Sequence, residues 1–343
     1  MAERVVVTGS TGMLGGTLTR FLADQGRDVL GIDLRPPVAV NHSPAYRVAD
    51  VRDTAGLTEL LRGADAVVHC ASALPSYPAE VIRDVIVRGT DSVLTASRRA
   101  GVERIVHISS TSVYGLPSTV PTPEDHPREP VDTYGRAKTE AEELAEKVRA
   151  DGTCVTIVRP KTFLGPGRMG LFAMLFEWAE EGRNFPVLGS GNARIQMLAI
   201  EDLVTAIAGV LSAPAEVAND TYNIAAAEFG TLRSDFQAVL DMAGHGKRVV
   251  SLPQRPALAT LRLLERAKLS PVYGRLLHKL TADSYVSGEK ARDRLGFTPL
   301  LSNVDAITRT FAWWRDAGGT SRTGNTSRDA WRQGALSFAK ILF

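Results

Sequence analysis

Val5–Thr8 is a run of four consecutive β-branched residues that passes directly into Gly9-Ser-Thr-Gly12-Met-Leu-Gly15. A short β-branched run without polar alternation reads as a strand buried on both faces, and such a strand needs helices packed above and below it. The glycines that follow serve three separate needs: a tight turn at Gly9, close backbone approach at Gly12, and close packing of the next helix on the strand at Gly15. A helix that opens inside this turn aims its first N–H groups and the positive end of its dipole at whatever lies there, which suits a dinucleotide pyrophosphate. The same rhythm continues to Arg159. Predicted strands Val29–Asp33, Ala66–Cys70, Ile105–Ser109 and Thr153–Val158 alternate with predicted helices Met13–Asp24, Thr54–Leu61, Glu80–Arg99 and Thr139–Arg149. Gly26 and Gly101 are placed to stop the first and third helices. This alternation specifies an α/β fold built on a doubly wound parallel sheet.

After Arg159 the alternation breaks down, and Pro160, Gly165, Pro166, Gly167 and Gly170 mark a loop. We therefore expect residues 1–165 to be mainly a dinucleotide-binding domain and 166–317 mainly a smaller α/β substrate lobe, with some return to the first sheet. Residues 318–343 are expected to be a linker and tail, because 318–329 hold almost nothing apolar to bury.

With 343 residues and a hydrophobic fraction of 44%, the chain is long enough to build such a core. Its 40 basic and 38 acidic residues give a net charge of +2, too balanced for a nucleic-acid binder, so a small-molecule partner is expected. Its two cysteines, Cys70 and Cys154, sit in apolar runs and read as core residues of a reducing compartment. No Cys/His cluster has metal-ligand spacing, so no metal site is expected. No apolar stretch approaches the roughly 20 residues needed to span a bilayer, and no secretory signal precedes the first strand, so the expectation is a cytoplasmic chain without a transmembrane segment.

Asp33 closes the second predicted strand, where a carboxylate accepts from an adenosine ribose hydroxyl. It would repel a 2′-phosphate, which favours NAD over NADP; Arg35, two positions on, is the one residue that could swing toward such a phosphate. Farther along, Tyr134-Gly-Arg-Ala-Lys138 opens the helix after strand Ile105–Ser109, and residues four apart share a helical face. A free phenol has a pKa of about 10, so Tyr134 is a poor base near neutrality unless a neighbouring ammonium stabilises its phenolate. Lys138 carries that ammonium. Ser110 follows the same strand and would reach the same carbinol or carbonyl oxygen.

In that order, Thr8-Gly9-x-x-Gly12-x-x-Gly15, Asp33, Asp50-Val51, Val67-Val68-His69-Cys70-Ala71-Ser72, Ser109-Ser110-Thr111-Ser112-Val113-Tyr114-Gly115, Tyr134-x-x-x-Lys138 and Arg159-Pro160 with Gly165-Pro166-Gly167 resemble the successive motifs of the extended short-chain dehydrogenases, the NAD-dependent epimerase/dehydratase type. Glu201-Asp202-Leu203 and Tyr222-Asn223-Ile224 are similar to that family's later landmarks. The resemblance implies a Rossmann-type sheet, with Ser110, Tyr134 and Lys138 as the catalytic group. It implies that Tyr134 exchanges the hydroxyl proton and that Lys138 also holds the nicotinamide ribose. Its cofactor set is Gly9, Thr11, Gly12, Met13, Leu14 and Gly15 in the loop, then Asp33, Leu34 and Arg35. Asp50 and Val51 meet the adenine, Cys70, Ala71 and Ser72 run along the cofactor, and Pro160 and Thr162 border the nicotinamide.

Several positions depart from the family pattern. Thr111 and Ser112 stand where dehydratases and decarboxylases of the family carry acids, and neither hydroxyl can shuttle protons near neutrality. Elimination is disfavoured against redox or epimerisation. Ile86 replaces a usual Asn before Val87-Arg88-Gly89-Thr90, and Ile195 and Ala199 replace the Arg and His of many nucleotide-sugar enzymes. Ser112, Arg168 and Arg194 are the candidate substrate contacts, and Arg183 is a further arginine that could grip a pyrophosphate.

The expected reaction is hydride transfer at a secondary alcohol of a sugar, with a nucleotide sugar first, by an NAD-dependent epimerase or carbinol oxidoreductase. The alternative is a ketoreductase or hydroxysteroid-type dehydrogenase acting on an apolar alcohol or ketone; a non-catalytic NAD sensor is disfavoured by the intact catalytic set. His69 and His107 are expected to be packed, hydrogen-bonded core residues. A leucine-rich basic stretch at 255–280 reads as a solvated helix face, or as a surface for an anionic substrate or a membrane. Trp331, Ala335, Phe338 and Leu342 fall at helical spacing and form a stripe that docks on the chain's own body, on a membrane or in a homodimer.

Overall fold

In the computed structural model, residues 3–36, 44–167, 172–253, 256 and 282–319 are described. Arg168, nearly all of the basic stretch at 255–280 and the apolar stripe at 331–342 lie outside them.

The chain divides into two compact units. The first comprises residues 1–161, 200–225 and 287–298, and the second 162–199, 226–286 and 299–343. In the first, β1 (Arg4–Thr8), α1 (Met13–Asp24), β2 (Asp28–Asp33), β3 (Ala45–Val48), α2 (Thr54–Leu60) and β4 (Ala66–His69) lead to α3 (Ala79–Arg83). A π-helical turn, Asp84–Arg88, joins α3 to α4 (Gly89–Ala100), and β5 (Arg104–Ile108), a 3-10 turn (Thr111–Tyr114), α5 (Thr133–Ala150) and β6 (Cys154–Pro160) follow. Seven strands form one sheet in the order β10-β6-β5-β4-β1-β2-β3, where β10 is Thr221–Ile224. All of its pairings are parallel. The order steps outward in both directions from β1 and β4, the doubly wound arrangement. Val6, Ile32, Leu57, Val67, Ile105 and Val155 form a core between one sheet face and its helices.

The elements follow their sequence signals closely. Gly101 ends α4 at φ 75°, and Gly26 follows α1 at φ 81°. Helix α5 begins at Thr133 rather than Thr139, because the Asp132 carboxylate accepts the Gly135 N–H at 2.6 Å and caps the helix there. The long predicted helix Glu80–Arg99 is interrupted by the π turn around Ile86. Strand β3, absent from the predicted strands, is an edge strand with three of its four residues exposed. Cys70 and Cys154 are corrections: both are free and only half-buried, at strand ends rather than in the core.

The second unit contains β7 (Thr162–Leu164), α6 (Phe172–Glu180), β8 (Phe185–Leu188) and β9 (Met197–Ala199). The chain then supplies α7 (Ile200–Ser212), α8 (Ala215–Ala218) and β10 to the first unit. It returns to the second for α9 (Leu232–Ala243) and β11 (Val249–Leu252), crosses back for α10 (Glu289–Leu295), and ends its described part in α11 (Asn303–Asp316). β7 pairs with β9 and β8 with β11, both parallel. The helices bury Phe176, Trp178, Phe236, Phe311 and Trp314 in one aromatic-rich core. No described helix is long and apolar enough to cross a membrane.

Candidate active site

The candidate residues of the first unit follow the carboxyl ends of neighbouring strands. In sheet order these are Pro160 at the end of β6, Ser110 after β5, Cys70-Ala71-Ser72 after β4, the glycine loop after β1, Asp33 at the end of β2 and Asp50-Val51 after β3. A ligand that crosses this edge meets all of them in turn.

The glycine loop has no room for side chains. Gly9 sits at φ +69°, and a Cβ there would come 2.7 Å from the Ala71 backbone; one on Gly15 would lie 2.2 Å from the Gly9 carbonyl oxygen. Helix α1 starts at Met13, with Gly12 as an N-cap that brings no side-chain hydrogen bond and no acid in the first turn, so Met13 and Leu14 open a helix end suited to an anion. The Asp33 carboxylate accepts from the Thr11 amide at 3.0 Å and from the Arg35 amide at 3.3 Å. That ties it to the loop and leaves lone-pair positions for ribose hydroxyls. These features fit NAD. Leu34 and Arg35 are exposed beside it. Asp50 is gripped by Arg52 at 2.9 Å, and Arg52 also reaches Asp84 on the π turn. Val51 is buried in the core, which leaves its backbone for any cofactor contact. The Ala71 amide is drawn to Thr8 Oγ1 at 3.4 Å. Burial pushes the Cys70 thiol up to about 12 against the opposing Lys138 charge, so it is a neutral wall rather than a reactive group.

At the candidate catalytic corner, Ser110 Oγ accepts the Ser112 amide at 3.2 Å, which leaves its hydroxyl proton for another acceptor. Ser112 Oγ itself is buried with no protein partner among the described residues. Tyr134 and Lys138 share one face of α5, with the Lys138 Nζ 5.9 Å from the Tyr134 ring centroid. Lys138 Nζ donates to the Ile108 carbonyl at 2.8 Å. Burial lowers the Lys138 ammonium to about 8, while Cys70 and Glu142 act to raise it. Gly135 is required between the two, since a Cβ there would lie 2.8 Å from the Ser112 carbonyl oxygen. Tyr134 packs against Ala73, Ile82, Ile86, Ala137 and Ala141, so an apolar group lies where the family's Asn is usual.

The network that fixes this corner lies outside the sequence motifs. Glu142, one further turn along α5, accepts from Ser109 Oγ at 2.5 Å, from Arg159 at 2.7 and 2.9 Å, and from Arg128 at 3.1 Å. Arg159 also donates to the Tyr114 hydroxyl at 2.7 Å, and that hydroxyl donates to Asn223 Oδ1 at 2.9 Å. The signal was present, because Glu142 falls four residues after Lys138, on the inward face.

Thr162 and Arg194 belong to the second unit. Arg194 is exposed, with its guanidinium carbon 4.8 Å from the Phe229 centroid and 5.1 Å from that of Tyr285. The half-buried Arg183 pairs with Glu181 at 2.9 Å. Among the described residues, no three His, Cys, Asp or Glu come together as a metal would need.

Residues 5–225 match the family described as NAD dependent epimerase/dehydratase. An uncharacterized protein of Sinorhizobium fredii is 33% identical over 337 residues, covering 96% of this chain and 83% of its own. The 3 beta-hydroxysteroid dehydrogenase/Delta 5-->4-isomerase of Mycobacterium tuberculosis is 29% identical over 339 residues, 91% of this chain and 90% of its own. The UDP-glucose 4-epimerase of Vibrio cholerae is 28% identical over 232 residues, 65% of this chain and 70% of its own. A crystal structure of UDP-glucose 4-epimerase from Thermotoga maritima shares the fold, with a TM-score of 0.74 at 20% identity over 92% of this chain and 99% of that one.

Proposed function

This chain belongs to the NAD-dependent epimerase/dehydratase family, and from that premise we propose that it oxidises or reduces a secondary carbinol of a sugar, in first place a nucleotide sugar, with Tyr134 as the acid/base. The observation that carries the reading is the pairing of Tyr134 with a buried, hydrogen-bonded Lys138 ammonium on the same helix face.

NAD, when bound, accepts or returns the hydride. The chain's own residues do the rest. Lys138 stabilises the developing phenolate of Tyr134, so the phenol can exchange a proton with the substrate oxygen near neutral pH. Ser110, with its oxygen already holding the Ser112 amide, donates its proton to that same oxygen and fixes its position. Thr111 and Ser112 offer no carboxylate, which supports redox or epimerisation over elimination. Asp33 at the adenosine end supports NAD over NADP. The second unit, with Thr162 and Arg194, is read as the substrate lobe.

Two observations favour a second substrate class. Ile86 and its apolar neighbours flank Tyr134, and the hydroxysteroid dehydrogenase relative aligns over 91% of this chain where the epimerase relative aligns over 65%. An apolar hydroxysteroid-type carbinol is that alternative.

Purified protein supplied with NAD and a panel of UDP- and dTDP-sugars, then with hydroxysteroids, separates the two. We expect a sugar product without net NADH; net NADH with a hydroxysteroid alone would transfer the assignment to the second class. Tyr134→Phe should lower turnover by about 10²–10⁴-fold with NAD binding retained. Unchanged turnover in that variant would refute the acid/base assignment.

A further inference from the structure

His69 and His107 face each other on adjacent strands, in register between β4 and β5, with ring centroids 5.7 Å apart. Their exposures are 2% and 1%. His69 matches the expectation for a core histidine, with Nδ1 at 2.8 Å from Thr8 Oγ1 and Nε2 at 3.2 Å from Thr90 Oγ1. His107 does not: neither ring nitrogen has a protein partner among the described residues. A buried polar group left unsatisfied is costly, and a neutral imidazole offers one acceptor and one donor to whatever meets it.

The cation whose charge acts on His107 is Lys138. Its Nζ donates to the carbonyl of Ile108, the residue that follows His107, and this is its one protein hydrogen bond among the described residues. An ammonium has three donors, so two remain. Beyond Tyr134 the flanking cluster of Ile82, Ile86 and Ala141 offers no side-chain acceptor. Burial, and then the Lys138 charge, lower His69 to about 3; the same causes, with His69 added, hold His107 well below the ordinary imidazole range. Both rings are neutral and able to accept.

We propose that His107 is a positioning residue for Lys138, accepting through one buried water a hydrogen bond that begins at the lysine ammonium. Both side chains are buried, at 1% and 2% exposure, and each keeps hydrogen-bonding capacity unused among the described residues, the setting in which single structural waters are held. The role sharpens the catalytic reading, on which its importance for turnover rests. The contact keeps the ammonium charged beside Tyr134 where desolvation works to discharge it. The other titratable groups around Lys138 are Tyr134 and Glu142 on its own helix and His69 and Cys70 at β4.

The test reads Lys138 directly and needs no substrate, so it stands or falls apart from the sugar assignment. Full-length protein carrying ¹³Cε-lysine is titrated by NMR, with the Lys138 resonance identified by its loss in Lys138→Met. His107→Leu should lower the Lys138 midpoint by about one unit, the scale of one charge-assisted hydrogen bond. His107→Asn or His107→Gln, which return an acceptor at one ring-nitrogen position or the other, should restore it. A midpoint that does not move in His107→Leu, or that falls equally in all three variants, overturns the proposal. Should His107→Leu fail to fold, a high-resolution crystal structure of the unaltered protein decides: a water within hydrogen-bond reach of both Lys138 Nζ and a His107 nitrogen supports it, and a dry contact overturns it.

Discussion

Among the described residues each unit buries one carboxylate completely, and the two are treated in opposite ways. Glu142 in the first unit is met by a serine hydroxyl and two guanidinium groups, with Arg159 gripping both of its oxygens. Asp235 in the second has one side-chain donor, the Asn303 amide at 2.8 Å on Oδ2, while Oδ1 has no partner among the described residues. Burial accordingly raises Asp235 to about 6, against the Asn303 hydrogen bond that lowers it. A carboxylate held by several charged donors fixes the geometry of the elements it joins, and one left half-satisfied makes its surroundings respond to protons. The helix that carries Tyr134 and Lys138 is anchored by the first kind.

Removing that anchor should produce the largest effect. Glu142→Ala leaves Arg159 buried without its carboxylate, and breaking one side of a buried pair costs about 3–5 kcal/mol. Urea unfolding at neutral pH should show that loss, with turnover falling as α5 shifts. A loss below about 1 kcal/mol would break the contrast, since Glu142 would then be no better used than Asp235. A step smaller is Gly15→Ala. Its new Cβ must displace the Gly9 carbonyl from 2.2 Å, so the turn opens at about 1–3 kcal/mol and NAD affinity falls at least tenfold. Fluorescence titration with NADH measures this. Unaltered affinity would mean that the glycine loop tolerates the movement that the Glu142 network is built to prevent.

How far each region could be read from the sequence follows from the reach of its interactions. The glycine loop, Asp33, Ser110 and the Tyr134–Lys138 pair are legible because each places its chemistry within a few residues of a strand end or along one helix face. Strand β1 is legible because burial on both faces leaves an unbroken β-branched run, and β4 and β5, the next two strands on one side, keep the apolar pairs Val67-Val68 and Ile105-Val106. Strand β3 is not, since its Ala-Tyr-Arg-Val stands at an exposed edge and bears no such run. The π turn at Asp84–Arg88 leaves no periodic trace, although it sets Ile86 against the Tyr134 cluster. Arg159 was read as a motif residue, yet its partner lies 17 positions away and its role appears only when β6 and α5 meet. Strands β7 and β9 are three residues each and pair across an intervening helix, too short for alternation to register. His107, inside a predicted strand, reads as a packed, hydrogen-bonded core residue; it is buried as expected, and its lack of a partner among the described residues is a tertiary fact.

Asp235→Asn should show the smallest effect, and its sign is specific. The folded pKa of about 6 lies above the ordinary carboxylate value of 3.8, so the fold prefers the protonated acid. The stability this group contributes is complete below about 3.8 and is lost as pH rises through about 6. Between those limits the unaltered protein should lose about 2–3 kcal/mol from this site relative to an untitratable residue, at 1.36 kcal/mol per unit. An asparagine cannot ionise and keeps an oxygen for the Asn303 amide. We therefore expect the variant to be more stable than the unaltered chain by about 1 kcal/mol at pH 8, and the advantage to disappear by pH 4, as read from urea midpoints. The margin at pH 8 is smaller than the full titration term because the new amide brings a donor with no acceptor ready for it. A variant that is less stable at pH 8 and equally so at pH 4 would show that Oδ1 is satisfied after all, and the two buried carboxylates would no longer differ in kind.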